Sequence, residues 1–499
     1  MRPPTPTMNA ALLPASAPTT RLDYSFLQRL FIFIAVFLVV VAPFTKDPIA
    51  FAVGGMVPAL LFKLVNTPTM PAAIAYFLIW QWAQIFSRVL QSMIDGETLA
   101  GGVYGPNVER AYWYMLASVV VLAVALRAVL GRLRPPTPQL ATAHLNWNIN
   151  DLLLLYGASL AVAIVARFGV MVVPALDQPF DAMSRVKVVV LFMLFGTVMS
   201  TGKGAKLMIL VVLFEIASGF TGILSDFKGV FIFLAVAALA VRIRWTGTMA
   251  VGGVVWIAVL VTLALFWTAV KSEFRQFATS STESQEINMP LSERLAYLGS
   301  KALDPSAINW NLASYALLSR FAYTDIFGSV IGVQEASPEP VFMRQWNEAI
   351  DHVIKPRFMF PDKPILSDTE VYVRLARGNA AEQMRLGTSI SVGYMAENFA
   401  DLGFPAMLGG VFLQGLIVAF ICLYLTTRRL PWLVSEGLVM GFIYMFARDG
   451  VEQSLPKFLG ASVMYFLVYA LAIRFVFPTA LAFLTRRNHS SSQAYRARP

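Results

Sequence analysis

Charged residues and cysteine are both scarce in this sequence. Only 14% of the residues are charged, whereas about a quarter are charged in an ordinary soluble domain. Because 57% of the residues are hydrophobic, the composition excludes a soluble globular protein and predicts an all-α polytopic membrane protein. The single cysteine, Cys422, lies in an apolar run, so an intramolecular disulfide is excluded.

Histidine is also rare, and the three histidines are far apart in the sequence: His144, His352 and His489. This spacing suggests no metal cluster, and the chain has no DxD-type motif. We therefore expect no metal and no other cofactor. The formal net charge is +10. In a membrane protein this excess indicates basic cytoplasmic loops rather than nucleic-acid binding.

Apolar runs long enough to cross a membrane recur along the chain. A spanning helix needs about 20 mostly apolar residues. On that criterion we predict twelve spans between an N-terminal tail, 1–26, and a C-terminal tail, 485–499. The spans are predicted at 27–44, 48–65, 70–93, 112–130, 152–174, 185–201, 206–224, 228–243, 249–270, 403–427, 432–448 and 458–484.

Basic residues lie before the first predicted span and at the end of every even-numbered span. They are Arg21, Arg29, Lys63, Arg127, Arg132, Arg134, Lys203, Lys206, Arg242, Arg244, Arg428, Arg429, Arg486 and Arg487. Because basic loops stay on the cytoplasmic side, both termini are predicted to be cytoplasmic. The expected location is the inner (cytoplasmic) membrane of a bacterium, crossed many times.

The largest polar interruption is the stretch of about 120 residues at 271–388, far longer than a passive connection. It separates spans 1–9, within 27–270, from spans 10–12, within 389–484. The same topology predicts that this loop is periplasmic. Its pattern predicts helices at 293–323 and 343–354, and the three prolines of PRFMFPDKPILSD (356–368) predict an extended segment.

Three cations in this loop are candidate phosphate ligands. Arg357 and Lys363 lie in the segment PRFMFPDKP (356–364). A guanidinium binds phosphate oxygens bidentately and an ammonium acts as a point charge, so the pair suits a diphosphate. The alternative is an ordered turn in which Arg357 pairs with a carboxylate such as Asp362. Arg320 lies on an amphipathic stretch, where the alternative is an interfacial, snorkelling arginine.

Further candidates lie near the ends of predicted spans. Glu397 precedes the tenth span, where a carboxylate could act as general base or bind sugar hydroxyls, or could instead stabilise a helix terminus. Arg448 and Asp449 follow the eleventh span, where the positive-inside bias makes an arginine unexpected. Lys228 lies in the short external turn SDFKG (225–229), where it could simply pair with Asp226.

Four segments, taken in order, carry a family resemblance: SGFTGILSDFKG (218–229), LLSRF (317–321), PRFMFPDKP (356–364) and TSISVGYMAENFADLG (388–403). At these residues the chain resembles the Wzy-type oligosaccharide repeat-unit polymerases of bacterial O-antigen and exopolysaccharide assembly. Members of that family often have an arginine in the first segment, where this chain has Lys228.

The resemblance implies a GT-C-like membrane glycosyltransferase that works without a metal. Its substrate would be an undecaprenyl-diphosphate-linked oligosaccharide, and membrane lipids would surround it. A chain-length regulator and a flippase of the same pathway are candidate partners. By analogy, Glu397, Arg357 and Arg448 would be catalytic. The substrate-binding residues would be Arg320, Lys363, Lys228 and Asp449.

Two other functions stay open. An O-antigen ligase would share the donor and the leaving group, and ligases resemble one another around a histidine-bearing loop element, for which His352 is the candidate. A transporter of polysaccharide or lipid-linked oligosaccharide would use charges at membrane depth as relays, for which Arg167 and Glu215 are candidates. Two similar halves, which many transporters have, are not evident.

Overall fold

The computed structural model describes residues 20–485 except 22–23, 103–104, 221–228, 279–288, 305, 307, 322, 339, 356–358, 361, 364–365 and 378–389. Over these residues the chain is almost entirely helical. The two strands, β1 (Thr20–Arg21) and β2 (Arg244–Trp245), are two residues long and pair antiparallel, with Thr20 opposite Trp245.

The first part of the chain is a series of mostly apolar helices. They are α1 (Tyr24–Val41), α2 (Pro48–Val65), α3 (Ala72–Asp95), α4 (Pro106–Leu130), α5 (Pro138–Thr142), α6 (Ile149–Val172), α7 (Asp177–Ser184), α8 (Val186–Thr201), α9 (Ala205–Phe220), α10 (Gly229–Ala240) and α11 (Gly247–Ala278).

The loop helices and the last membrane helices follow. The loop contains α12 (Leu291–Leu303), α13 (Trp310–Phe321), α14 (Thr324–Ala336), α15 (Arg344–Ile354) and α16 (Asp368–Ala376). A short helix, α17 (Tyr394–Leu402), leads into α18 (Met407–Thr427), α19 (Trp432–Asp449) and α20 (Leu455–Leu471).

Eight helical stretches among the described residues are long and apolar enough to span a membrane. They are Ser25–Phe44, Pro48–Val65, Pro106–Leu130, Ile149–Val172, Asp177–Thr201, Gly247–Lys271, Met407–Thr427 and Leu455–Thr485. The other four predicted spans coincide with α3, α9, α10 and α19, which are helices but are shorter or more polar. The all-α polytopic class is therefore confirmed, while the number twelve and the periplasmic loop stay predictions.

The loop is more helical than its sequence pattern predicted. The helix at the ninth predicted span, α11, continues to Ala278, past the predicted end at 270. The helix predicted at 293–323 is interrupted between Leu303 and Trp310. An unpredicted helix, α16, begins after Ser367, whose hydroxyl accepts the Glu370 N–H. An N-cap of this kind offsets the lost backbone hydrogen bonds of a helix start.

The loop helices pack against one end of the membrane bundle, which we call the loop end. There α14 contacts α4 and α17, α13 contacts α3, and α15 contacts α20. The contact between α14 and α4 is close, since a Cβ added to Gly328 would lie 3.0 Å from Val108. The core of the bundle includes the touching rings of Phe442, Phe446 and Phe458.

The last helix contains one irregular turn. After Leu471 the residues Ala472–Val476 form a π-helical turn, and the chain continues as α-helix through Thr485. Tyr469 is buried before this turn, Ala472 is buried at its first residue and Phe477 is buried after it, whereas Val476 is exposed. The same side of the helix therefore packs on the bundle before and after the irregular turn.

Candidate active site

The short helix α17 carries three polar side chains that are all buried: Glu397, Asn398 and Asp401. The helix begins after Gly393, which has φ +84°. A Cβ at this position would lie 2.2 Å from the Val451 carbonyl oxygen. Only glycine fits such a conformation and such an approach, so α17 is held tightly against the segment between α19 and α20.

Asp401 joins α17 to the loop. Its carboxylate accepts the backbone N–H of Gln345 at 3.0 Å and that of Trp346 at 2.9 Å, at the start of α15. The Trp346 indole N–H donates to the side-chain oxygen of Asn398 at 3.0 Å. A carboxylate at a helix N-terminus satisfies amides that have no partner within the helix and complements the helix dipole. These bonds fix α15 over α17.

Glu397, the predicted base, lies beneath the loop helices. Its side chain is 1% exposed, and Oε2 accepts the Leu455 N–H at 2.5 Å, at the start of α20. Burial, helped by the charges of Asp368 and Asp401 and opposed by the Leu455 N–H and Arg374, raises the pKa of this carboxyl to about 8. The group therefore holds a proton at neutral pH more readily than an ordinary glutamate does.

A cavity of about 430 Å³ lies between α15 and α16, within the range of small-molecule sites. Its charged lining is mixed in sign: three cations, three carboxylates and one histidine. The lining consists of Arg344, Lys363 and Arg374, of Glu348, Asp351 and Glu370, of His352, and of Leu366, Ser367 and Val371. Such a surface offers donors and acceptors together, as a hydroxyl-rich ligand with a phosphate group requires.

Two arginines of the cavity converge on one carboxylate. Arg344 Nε lies 2.7 Å from Glu348 Oε1, and Arg374 Nη1 lies 3.4 Å from the same oxygen. Arg374 also donates to the side-chain oxygen of Gln345 at 2.7 Å. Burial tends to raise the pKa of Glu348, but the hydrogen bonds from both arginines outweigh it and hold that pKa below its ordinary value. Glu348 is thus ionised and orients both guanidinium groups.

Lys363 is the one predicted phosphate ligand that the described residues place on the cavity. Its ammonium also donates to the backbone carbonyls of His352 and Lys355, the latter at 2.8 Å. These carbonyls lie at the C-terminal end of α15, where a cation is favoured by the helix dipole. Lys363 therefore stabilises the helix that forms one wall of the cavity.

The other residues predicted for the site are either outside the described residues or away from the cavity lining. Arg357 and Lys228 lie outside the described residues, and only the backbone of Arg320 is described, within α13. At the end of α19, Arg448 Nε lies 3.1 Å from the Asp449 carboxylate. The structure therefore brings Lys363 and Glu397 to the same region, since α15 lines the cavity and also packs on α17, which carries Glu397.

A buried polar stripe on α3 was not anticipated. Its members recur every three or four residues and are all less than 10% exposed: Gln81, Gln84, Ser87, Arg88, Gln91 and Ser92. Gln81 accepts the Tyr394 hydroxyl at 2.6 Å, and Arg88 Nε lies 2.6 Å from Asp325 of the loop. The signal was present in the sequence, since this spacing places polar side chains on one helical face.

The charges predicted at membrane depth are partly paired. Lys187 on α8 lies 2.8 Å from Glu215 on α9, and the Tyr156 hydroxyl of α6 donates to the same carboxylate. Pairing of this kind lowers the cost of burying a charge. Among the described residues, no three His, Cys, Asp or Glu side chains are grouped as a metal ion would require.

Comparisons of the chain with protein-family models, with curated proteins and with solved structures gave no match.

Proposed function

We propose that this chain is a membrane glycosyltransferase that polymerises undecaprenyl-diphosphate-linked oligosaccharide repeat units into an O-antigen or exopolysaccharide. The observation that carries the proposal is the cavity of mixed charge between α15 and α16. It belongs to the large loop whose motifs resemble the repeat-unit polymerases, and it lies at one end of a bundle of apolar helices. A lipid-linked sugar has its reacting atoms at this level, just outside the membrane.

The proposed reaction is a glycosyl transfer between two lipid-linked glycans. A hydroxyl oxygen at the non-reducing end of one repeat unit attacks the anomeric carbon of the growing chain. The bond from that carbon to the diphosphate oxygen breaks, and undecaprenyl diphosphate leaves with the electron pair. Arg344, Lys363 and Arg374 would stabilise the charge that develops on the diphosphate. Cations held in place beforehand are effective in this role.

The proton of the attacking hydroxyl needs an acceptor. Glu397 keeps this role in the proposal, because the resemblance assigns the acceptor hydroxyl to this residue and an ionised carboxylate can take up the proton of that hydroxyl. The carboxyl is buried and α15 packs on its helix, α17, so the role requires α15 to move away when the acceptor binds. The loss of burial would then lower the raised pKa and let the group ionise. We further propose that the loop is periplasmic and that both termini are cytoplasmic, as the basic residues indicate.

A ligase is the second candidate, favoured by one observation. His352 lines the cavity, and it is the histidine that the sequence pattern places in the external loop. A ligase would transfer the finished polymer from the same lipid carrier to another acceptor. A transporter is favoured by a different observation. Lys187 and Glu215 form an ion pair at membrane depth, where a transporter would use charges as relays.

Deletion of the gene distinguishes the three functions. The surface glycan of the deletion strain would be separated on a gel and the lipid-linked pool extracted. We expect single repeat units and no ladder of longer chains. Full-length polymer retained on the lipid carrier would indicate a ligase, and repeat units that never reach the outer face would indicate a transporter. Either result would overturn the polymerase proposal.

Complementation with single variants tests the cavity itself. Arg374→Ala should lower polymer formation about 100-fold, the usual effect of removing one preorganised electrostatic group. Arg357→Ala should do the same if that arginine binds the leaving diphosphate. Arg110→Ala is the matched control, because Arg110 pairs with Glu335 at the loop end but does not line the cavity. Wild-type ladders from Arg374→Ala, at equal protein level, would exclude the cavity as the site of transfer.

A further inference from the structure

Helix α15 presents three different faces. Successive side chains on a helix are 100° apart, so residues three and four apart share a face. One face packs on the bundle and holds Gln345, Trp346, Ala349 and Val353. A second face lines the cavity and holds Arg344, Glu348, Asp351 and His352. The third face is exposed and carries Asn347 together with the large apolar side chains of Ile350 and Ile354.

The exposed face continues into the segments on either side of the helix. Phe342 before it is 77% exposed, and Ile354 and Met359 at its end are 69% and 64% exposed. We call this surface the apolar patch; it consists of Val341, Phe342, Ile350, Ile354, Met359 and Phe360. Single exposed apolar residues are ordinary, but six large ones between residues 341 and 360 indicate a surface that is covered in the working protein.

The position of α15 on the last helix indicates what covers the patch. Val353 faces Gly460 of α20, where an added Cβ would lie 3.9 Å from the valine methyl group. Gly460 is close to the start of the stretch Leu455–Thr485, whose 31 residues exceed the roughly 20 that cross the hydrocarbon core. The first turns of α20, and α15 with them, therefore lie at the boundary of the membrane.

The helix on which α15 packs, α20, has exposed apolar side chains of its own near this contact. Val463 and Leu467 of α20, one and two turns deeper, are 41% and 48% exposed, as lipid-facing side chains are. A helix at this depth with one polar and one apolar face has the design of an interfacial membrane helix. Because α15 packs on α20 close to these side chains, we infer that lipid, rather than another protein, is the occupant.

We propose that α15 is an interfacial helix whose apolar patch inserts into the lipid bilayer and holds the cavity at the headgroup level. The cavity face, about a third of a turn away, stays in water. This inference does not depend on the glycosyltransferase proposal, because any activity of the cavity would be placed at the same level. For an amphiphilic substrate the consequence is direct, since its headgroup would meet the cavity without leaving the membrane.

The lone cysteine makes the test clean. Cys422 is buried, so Cys422→Ser gives a background for single labels. Cysteines would be introduced as Ile354→Cys and Phe360→Cys in the patch. The matched control is Lys355→Cys, directly after the helix, where Lys355 pairs with Asp351 of the cavity face. The full chain, carrying a nitroxide label, would be reconstituted in phosphatidylethanolamine and phosphatidylglycerol vesicles. Electron paramagnetic resonance would compare collisions with oxygen, which partitions into lipid, and with a water-soluble nickel chelate.

Labels at 354 and 360 should collide more with oxygen than with the nickel chelate, and the label at 355 should show the reverse order. Equal nickel accessibility at 354, 360 and 355 would place the patch in water and overturn the proposal. Protection of 354 and 360 from both reagents would mean that protein covers the patch, which would overturn it too. Phe342→Cys provides a further patch site if one variant fails to fold. None of these readouts depends on glycan synthesis, so the two proposals fail separately.

Discussion

The Glu397 carboxyl, on α17, accepts the backbone N–H of Leu455 at 2.5 Å and so caps the N-terminus of α20. A carboxyl oxygen can accept this hydrogen bond in the neutral form, although the ionised form accepts it more strongly. Burial favours the neutral form here and raises the pKa from 4.5 to about 8. Fold and protonation are therefore coupled at this residue.

The coupling predicts how stability depends on pH. The folded state holds the Glu397 proton more tightly than the unfolded state, so its stabilising effect is complete below pH 4.5 and is lost as the pH rises through about 8. Glu397→Gln keeps an oxygen acceptor and cannot ionise. The melting temperature of this variant in detergent should fall less over that pH range than that of the wild type.

Glu335→Gln is the control for the pH experiment. Glu335 is exposed, and its hydrogen bond to Arg110 holds its pKa below the ordinary value. It is therefore ionised throughout the range and should leave the slope unchanged. Identical slopes for wild type and Glu397→Gln would show that the buried carboxyl does not titrate in this range.

The second prediction concerns Asp401, which accepts two backbone amides at the start of α15. Asp401→Ala leaves both amides without this acceptor and should cost about 1–2 kcal/mol, as the loss of an N-cap does. Hydrogen exchange followed by mass spectrometry should show faster exchange at the first turn of α15. Asp401→Asn retains one acceptor oxygen, so its exchange rate at this turn should lie between those of the wild type and Asp401→Ala.

A matched variant on α15 is Asp351→Ala. Asp351 pairs with Lys355, and both side chains are about half exposed, so this ion pair contributes about 0.5 kcal/mol or less. Its exchange pattern should follow the wild type. If Asp401→Ala also exchanges like the wild type, the carboxylate does not hold α15 in place.

The third prediction concerns the pair Arg88 and Asp325, which joins α3 to the loop helix α14. The Arg88 side chain is 7% exposed, so Asp325→Ala leaves a buried guanidinium without its carboxylate. We expect a loss of about 3 kcal/mol. The double variant Arg88→Met with Asp325→Leu should be less destabilised than the sum of its single variants, because no charge is left unpaired.

The exposed pair Arg110 and Glu335, which also joins a membrane helix to α14, is the control for this cycle. Its coupling should be about 0.5 kcal/mol, as for other exposed pairs. Unfolding in denaturant, followed by near-ultraviolet circular dichroism, measures both cycles. Strict additivity at Arg88 and Asp325 would mean that the two groups do not interact.

Local sequence signals predicted much of the fold. The twelve apolar segments coincide with helices, and the pattern at 343–354 predicted α15, because hydrophobic periodicity is a local property. The prolines of 356–368 gave no sign of the helix that follows. Its start depends on Ser367 and its position on contacts with α14, and tertiary contacts of that kind leave no local pattern.

The site was less predictable than the fold. Arg374 lies on the cavity only because α16 returns alongside α15, where it meets Glu348 and Gln345. Nothing in the residues next to Arg374 indicates those partners. The stripe containing Arg88 has a helical period, but that period does not indicate its partners, Asp325 of the loop and Tyr394 of α17.

The π-helical turn of the last helix has a consequence for the length of the chain. Residues 465 and 469 of α20 are buried. The next buried residues are 472, the first residue of the π-helical turn, and 477, directly after that turn. A regular α-helix turns once every 3.6 residues, so the side that holds Ala472 would be reached again at position 476, one residue before Phe477. The chain thus contains one surplus residue between Ala472 and Val476. Removing it would shorten the helix but keep both halves in phase, so this turn is a place where the length of the protein can change by one residue without a change of face.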